Sequence, residues 1–303
     1  GTERVCPSII ETLSCDIQEE VCIGGLDEDR DGFIDCEDFS CLYDQFCSEF
    51  NSDILVHLSF NNPNDLVTRL KDYSSYGNDG VFMGGTKYDY RSDEGYDGRG
   101  AYFMDHSVPD NNKTALQLLT PEFANGLSND FTISMLIKPG TGGSGNAVFF
   151  SRSCSTHWCL RIDQEEFGYT PNGQAVDFFS DRTLSNRLPN VKNIVGVDFR
   201  RWYHLVGVWN TGDGTARYYI NGQETNITGY DANFSSVDRA VAFGADVGAT
   251  VPNVNQETYK GWVDDLIILN SSLSASDVSD MFRYYDEHTP CAFETDYPLV
   301  ECP

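Results

Sequence analysis

The densest run of cation chemistry in the chain is Asp27-Glu28-Asp29-Arg30-Asp31-Gly32-Phe33-Ile34-Asp35-Cys36-Glu37-Asp38. Counted from Asp27, side-chain oxygens fall at positions 1, 3, 5, 9 and 12, supplied by Asp27, Asp29, Asp31, Asp35 and Asp38. Phe33 holds the position whose main-chain carbonyl serves as a ligand, Gly32 the position of the sharp turn, and Ile34 the position that packs inward. Calcium takes many hard oxygen donors, so the spacing predicts a calcium loop. Asp38 is shorter than the usual Glu at the last position, which weakens bidentate binding.

Cysteine is the second chemistry. Cys6, Cys15, Cys22, Cys36, Cys41, Cys47, Cys154, Cys159, Cys291 and Cys302 form an even set, crowded at one end, as disulfides in an oxidising compartment do. Zinc knuckles need paired close spacings. Here only Cys36 to Cys41 and Cys154 to Cys159 approach one, and His57, His106, His157, His204 and His288 are scattered. The six Cys before residue 50 leave fifteen connectivities open. A bridge between Cys154 and Cys159 would clamp a hairpin and hold His157 and Trp158 at its tip, where Trp158 either stacks on a sugar ring or covers a neighbouring strand. Asn112, Asn226, Asn233 and Asn270 each begin an N-x-[ST] triplet and are the expected glycan acceptors of a secreted, extracellular protein.

Composition excludes several classes of partner. The chain carries 20 Lys plus Arg against 47 Asp plus Glu, a formal charge of -27 that repels nucleic acid and anionic lipid. No stretch approaches the roughly 20 apolar residues of a membrane span, so no membrane insertion is expected. The chain begins at Gly1 without an apolar signal core, as a processed product would. No H-E-x-x-H, G-x-S-x-G or phosphate loop occurs, and no E-x-D-x-x-E, whose alternation would set paired carboxylates on one strand face for glycoside hydrolysis. Catalysis is therefore not expected.

These residues need elements to position them. Residues 1–50 have little hydrophobic periodicity and must be held by bridges and metal, as a small Cys-rich module. From Ile54 onward, short runs of Val, Ile, Phe, Tyr and Trp alternate with Gly, Asn and Asp clusters, which predicts an antiparallel β-sandwich over residues 51–288. Strands are expected near 54–60, 79–83, 100–105, 131–138, 146–152, 157–163, 175–180, 203–210, 215–221, 240–245 and 262–270. Asn221-Gly222 reads as a hairpin turn, and Ser274 with Asp277 as the capping box of a short helix through Tyr285. Residues 289–303 read as an extended tail pinned by Cys291 and Cys302.

Two resemblances follow. The Cys-framed acidic loop is an EF-hand-like loop that resembles those of thrombospondin type 3 repeats, which implies a fixed structural ion. The second covers roughly residues 53–286. Its marks, in order, are Ile54-Leu55-Val56-His57-Leu58-Ser59-Phe60, Asp72-Tyr73-Ser74-Ser75-Tyr76-Gly77-Asn78-Asp79-Gly80, Gly100-Ala101-Tyr102-Phe103, Asp130 to Pro139, Trp202 to Val208, Tyr219-Ile220-Asn221-Gly222, and Gly261 to Ile268 followed by Leu273-Ser274. They resemble the laminin-G-like, concanavalin A-like jelly roll of pentraxin type. That resemblance implies an all-β fold and a calcium site carried over to Asp72, Asn78 and Asp264, with Asp265 as a poorer ligand.

Two functions are consistent with this sequence. The Cys-rich head and pinned tail point to a non-enzymatic extracellular glycoprotein, a subunit of a filament, coat or matrix, docking by strand addition on copies of itself or on other extracellular glycoproteins. The alternative is a calcium-dependent carbohydrate-binding lectin or adhesion module, suggested by the jelly roll and by the aromatics Trp158, Tyr169, Tyr230 and Tyr259 near expected loops.

Overall fold

The chain divides into two units, Gly1–Phe50 and Asn51–Pro303. The computed structural model describes residues 53–60, 70–84, 88–91, 95–96, 101–104, 114–118, 130–139, 146–151, 158–163, 175–180, 201–229, 241–243 and 261–288, all in the second unit.

The strands are β1 (Ile54–Leu58), β2 (Gly80–Gly84), β3 (Tyr88–Arg91), β4 (Ala101–Met104), β5 (Thr114–Leu118), β6 (Phe131–Pro139), β7 (Asn146–Ser151), β8 (Trp158–Asp163), β9 (Ala175–Ser180), β10 (Tyr203–Asn210), β11 (Thr215–Ile220), β12 (Gln223–Gly229), β13 (Val241–Phe243) and β14 (Gly261–Leu269). A helix, α1 (Ala275–His288), follows β14. One sheet runs β12-β11-β10-β6-β14-β4-β3, with β1 also paired to β14, and the other runs β2-β5-β13-β7-β8-β9. The fold is an antiparallel β-sandwich, as the alternation of apolar runs and turn clusters predicts.

Three strands were not expected from the sequence: β3, β5 and β12, whose sequences are YDYR, TALQL and QETNITG. Each is short or polar, so its β character comes from pairing with a neighbour rather than from its own pattern. For β12 the turn enforces it. Asn221 and Gly222 have φ of 48° and 71°, and Ile220 pairs with Gln223 across them, the two-residue geometry that returns a chain directly into a hairpin.

Both faces of β10 are covered, which explains why nearly the whole strand is buried. One face carries Trp209, stacked on Phe131 at 4.5 Å and meeting Tyr218 edge-on at 5.9 Å. Gly207 leaves room for that indole, since a Cβ there would lie 2.6 Å from the Trp209 ring. The other face carries Val206 and Val208, which cluster with Tyr219 and with Val278 of α1. Val278, Met281 and Tyr285 are buried at helical spacing and form the stripe of α1 that covers this face. The helix starts where its box predicts: Ser274 N donates to Asp277 Oδ2 at 2.8 Å, and Asp277 N donates to Ser274 Oγ at 3.2 Å.

Candidate functional site

The turn between β1 and β2 is built around one carboxylate. Asp72 is buried, and its Oδ1 accepts from the main-chain N–H of His57 at 2.8 Å and of Ser74 at 2.9 Å. Its Oδ2 accepts from Ser74 Oγ and from Asn78 N, both at 2.6 Å. Four donors meet the roughly four lone-pair directions a carboxylate offers. Asn78 Nδ2 in turn donates to Leu55 O at 2.7 Å, and Asp72 N donates to Asp79 Oδ1 at 3.0 Å. The result is a closed loop tied to β1 at its base, with Gly77 at φ 67° completing the bend.

The three residues to which the resemblance assigned calcium are placed as follows. Asp72 and Asn78 come together, through the Asn78 N–H on the Asp72 carboxylate. Asp264, fully buried, accepts from Asp265 N at 2.9 Å and from Tyr96 N at 3.3 Å. The Asp72 carboxylate does not fit a cation ligand in this arrangement, because main-chain N–H dipoles already aim at both of its oxygens. Among the described residues, no three His, Cys, Asp or Glu side chains are grouped to hold a metal. Next to Asp264, β14 breaks register between Asp264 and Ile267, Asp265 adopts φ 42°, and its carboxylate lies 3.4 Å from His57 Nε2. The bulge thus turns one member of the acidic pair inward and leaves the other against β1.

A second polar pair lies beneath α1. Ser134 Oγ and His204 Nε2 are 2.8 Å apart, the spacing of a nucleophile and its base. The surroundings exclude that role. Both residues are fully buried, and the His204 ring faces Phe282 at 6.2 Å and Tyr285 at 5.0 Å. No hydrogen bond reaches His204 Nδ1 among the described residues, so no carboxylate orients the ring. Burial pushes the imidazole down to about 3, which keeps it neutral. The pair is a structural contact between the adjacent strands β6 and β10, covered by α1 through the His204 ring.

Asp27, Asp29, Asp31, Phe33, Asp35 and Asp38 lie outside the described residues, as do Asn112 and Asn233 and every cysteine except Cys159. Cys159 pairs with Ser151 and Phe179 in the β7-β8-β9 ladder. Asn226 lies in β12 and Asn270 is exposed just after β14. Of the loop aromatics, Trp158 begins β8, and Tyr169, Tyr230 and Tyr259 fall outside the described residues. Sequence reasoning had not singled out Tyr73 and Tyr76, the two exposed large hydrophobic side chains of the described residues, although both stand in the Asp72–Asp79 turn. Their flanking by Asp, Ser, Gly and Asn was the available signal that they would be displayed.

The two antiparallel sheets, the covering helix and the carboxylate-tied turn define a concanavalin A-like sandwich. The chain belongs to the concanavalin A-like lectin/glucanases superfamily, whose profile matches residues 110–279. No curated protein matches it. Among solved structures, domain 4 of an extracellular arabinanase from Geobacillus stearothermophilus, in complex with arabinotriose, is 20% identical, with 76% of this chain and 98% of that one covered and a TM-score of 0.49. A receptor-binding domain is 15% identical, with 80% and 53% covered and a TM-score of 0.50. The binding domain of botulinum neurotoxin DC, in complex with rat synaptotagmin II, is 17% identical, with 78% and 52% covered and a TM-score of 0.48. The chain spans about half the length of these last two. At such identities the likeness concerns the fold alone.

Proposed function

We propose that this chain is a non-catalytic, extracellular saccharide-binding module. Membership of a superfamily that joins lectins to glucanases carries the reading, and the sequence separates the two arms. A glucanase needs paired carboxylates alternating on one strand, and no E-x-D-x-x-E occurs. Fold alone does not assign function, so the residue-level difference is what supports the binding arm. Family membership moves the weight from a filament or matrix subunit to the lectin-like alternative, because the features that suggested assembly lie in residues 1–50 and 289–303 rather than in the sandwich.

The spacing in residues 1–50 supports a calcium-bearing, disulfide-framed appendage, with Asp27, Asp29, Asp31, Asp35, Asp38 and the Phe33 carbonyl as the ligands. The charge of -27 selects the ligand, since sialylated or sulfated glycans would meet a repulsive field and neutral ones would not. The test is retention of the full chain on immobilised neutral and anionic glycans in calcium-containing buffer, with hydrolysis of the same glycans followed in parallel. Binding without product release is the expected outcome; release of shortened glycan would overturn the non-catalytic reading.

A further inference from the structure

The Asp72–Asp79 turn holds its two tyrosines outward: Tyr73 is 40% exposed and Tyr76 53%. Single exposed aromatics are ordinary. Two within four residues, on a loop closed by a buried carboxylate, are different, because the loop's ordering is complete before any ligand arrives. Tyr76 is tied through its own main chain, its N–H donating to Ser74 Oγ at 3.2 Å, and Ser74 Oγ lies 2.6 Å from Asp72 Oδ2. Tyr73 N donates to His57 O at 2.8 Å. A tyrosine has only two side-chain torsions, so on such a frame it offers a large amphipathic surface at small entropic cost.

The neighbours of Tyr73 are polar. The exposed Lys71 ammonium stands 4.9 Å from its ring centroid, and His57 meets the ring at 6.1 Å from the β1 side. An aromatic face beside a hydrogen-bond donor suits a pyranose, which presents a C–H face to the ring and hydroxyls to the donor. We propose that this turn is a stacking platform for a neutral sugar ring, with the half-exposed Tyr76 as the stacking ring and Tyr73 with Lys71 as the flanking polar wall. The proposal rests on the saccharide-binding reading and gives it an address. The overall charge of -27 disfavours the anionic aromatics, such as nucleobases in a polyphosphate chain, that could use the same rings.

The experiment is titration of the full chain, in calcium, with neutral trisaccharides of glucose, galactose, mannose and xylose, followed calorimetrically and by the tyrosine ring-proton shifts. For the trisaccharide that binds most tightly, Tyr76→Ala should weaken binding about tenfold, near the upper end of what one aromatic contact contributes. Tyr76→Trp should stay within about threefold of the parent, and Tyr73→Ala should fall between them. Thermal unfolding of the Tyr76 variants should move little, since about half of that residue is exposed. Parent-like binding by Tyr76→Ala, or a bound sugar that leaves the Tyr76 ring protons unshifted, overturns the platform and leaves the saccharide reading standing. Failure of the parent to bind any of the four overturns both.

Discussion

Lowering the pH from 7 to 5 should cost the sandwich about 2 kcal/mol through His204 alone. In the folded domain its imidazole is lowered from 6.5 to about 3 by burial against Phe282 and Tyr285. The unfolded chain therefore binds a proton below about pH 6.5 that the native state refuses. The cost of this refusal is small above about pH 6.5, grows as pH falls, and levels off at about 5 kcal/mol once the pH is below about 3. Carboxylates titrate in the same range, so a variant must isolate the imidazole. His204→Gln keeps a neutral polar group of similar reach beside Ser134 and cannot charge. Urea unfolding of parent and variant, followed by circular dichroism at pH 7 and pH 5, gives the difference directly. The parent should lose about 2 kcal/mol more than the variant over that interval. Parallel losses would mean that His204 is protonated in the native fold or is not buried.

Three further outcomes follow from the same geometry. Asp72→Ala orphans the N–H groups of His57, Ser74 and Asn78, so urea unfolding should show a loss of about 3 kcal/mol or more, with Asp72→Asn intermediate. Gly222→Ala combines φ 71° with a Cβ 3.0 Å from Phe282 Cβ, and a loss of about 1 to 3 kcal/mol should register as a lowered unfolding temperature. Calcium removal by a chelator should lower the unfolding temperature of the parent, while a chain carrying both Asp29→Ala and Asp31→Ala should no longer respond; a response retained in that chain would locate the ion elsewhere.

How far the sequence reaches depends on where information is local. The sandwich was legible because strands such as β6, β10 and β14 carry runs of Val, Ile, Leu and Trp, and because Asn221-Gly222 and Ser274 with Asp277 fix their turn and cap within a few residues. Strand β12 was not, since its polar sequence becomes a strand by pairing with β11. The Asp72 turn was half legible: its composition marked a special site, but only the fold shows four donors converging on one carboxylate, two of them from residues 15 positions before and 6 after it. The Ser134–His204 contact joins residues 70 apart and left no mark in spacing at all. Tyr73 and Tyr76 were visible as aromatics among turn formers, yet their display depends on the carboxylate that holds the turn.

We expect this strongly acidic chain to recognise uncharged sugar. A glycan array probed with the full chain in calcium tests it most directly. Retention is expected on neutral glycans and not on their sialylated or sulfated counterparts; no retention on any glycan above a heat-unfolded control, or retention confined to the anionic ones, would overturn this.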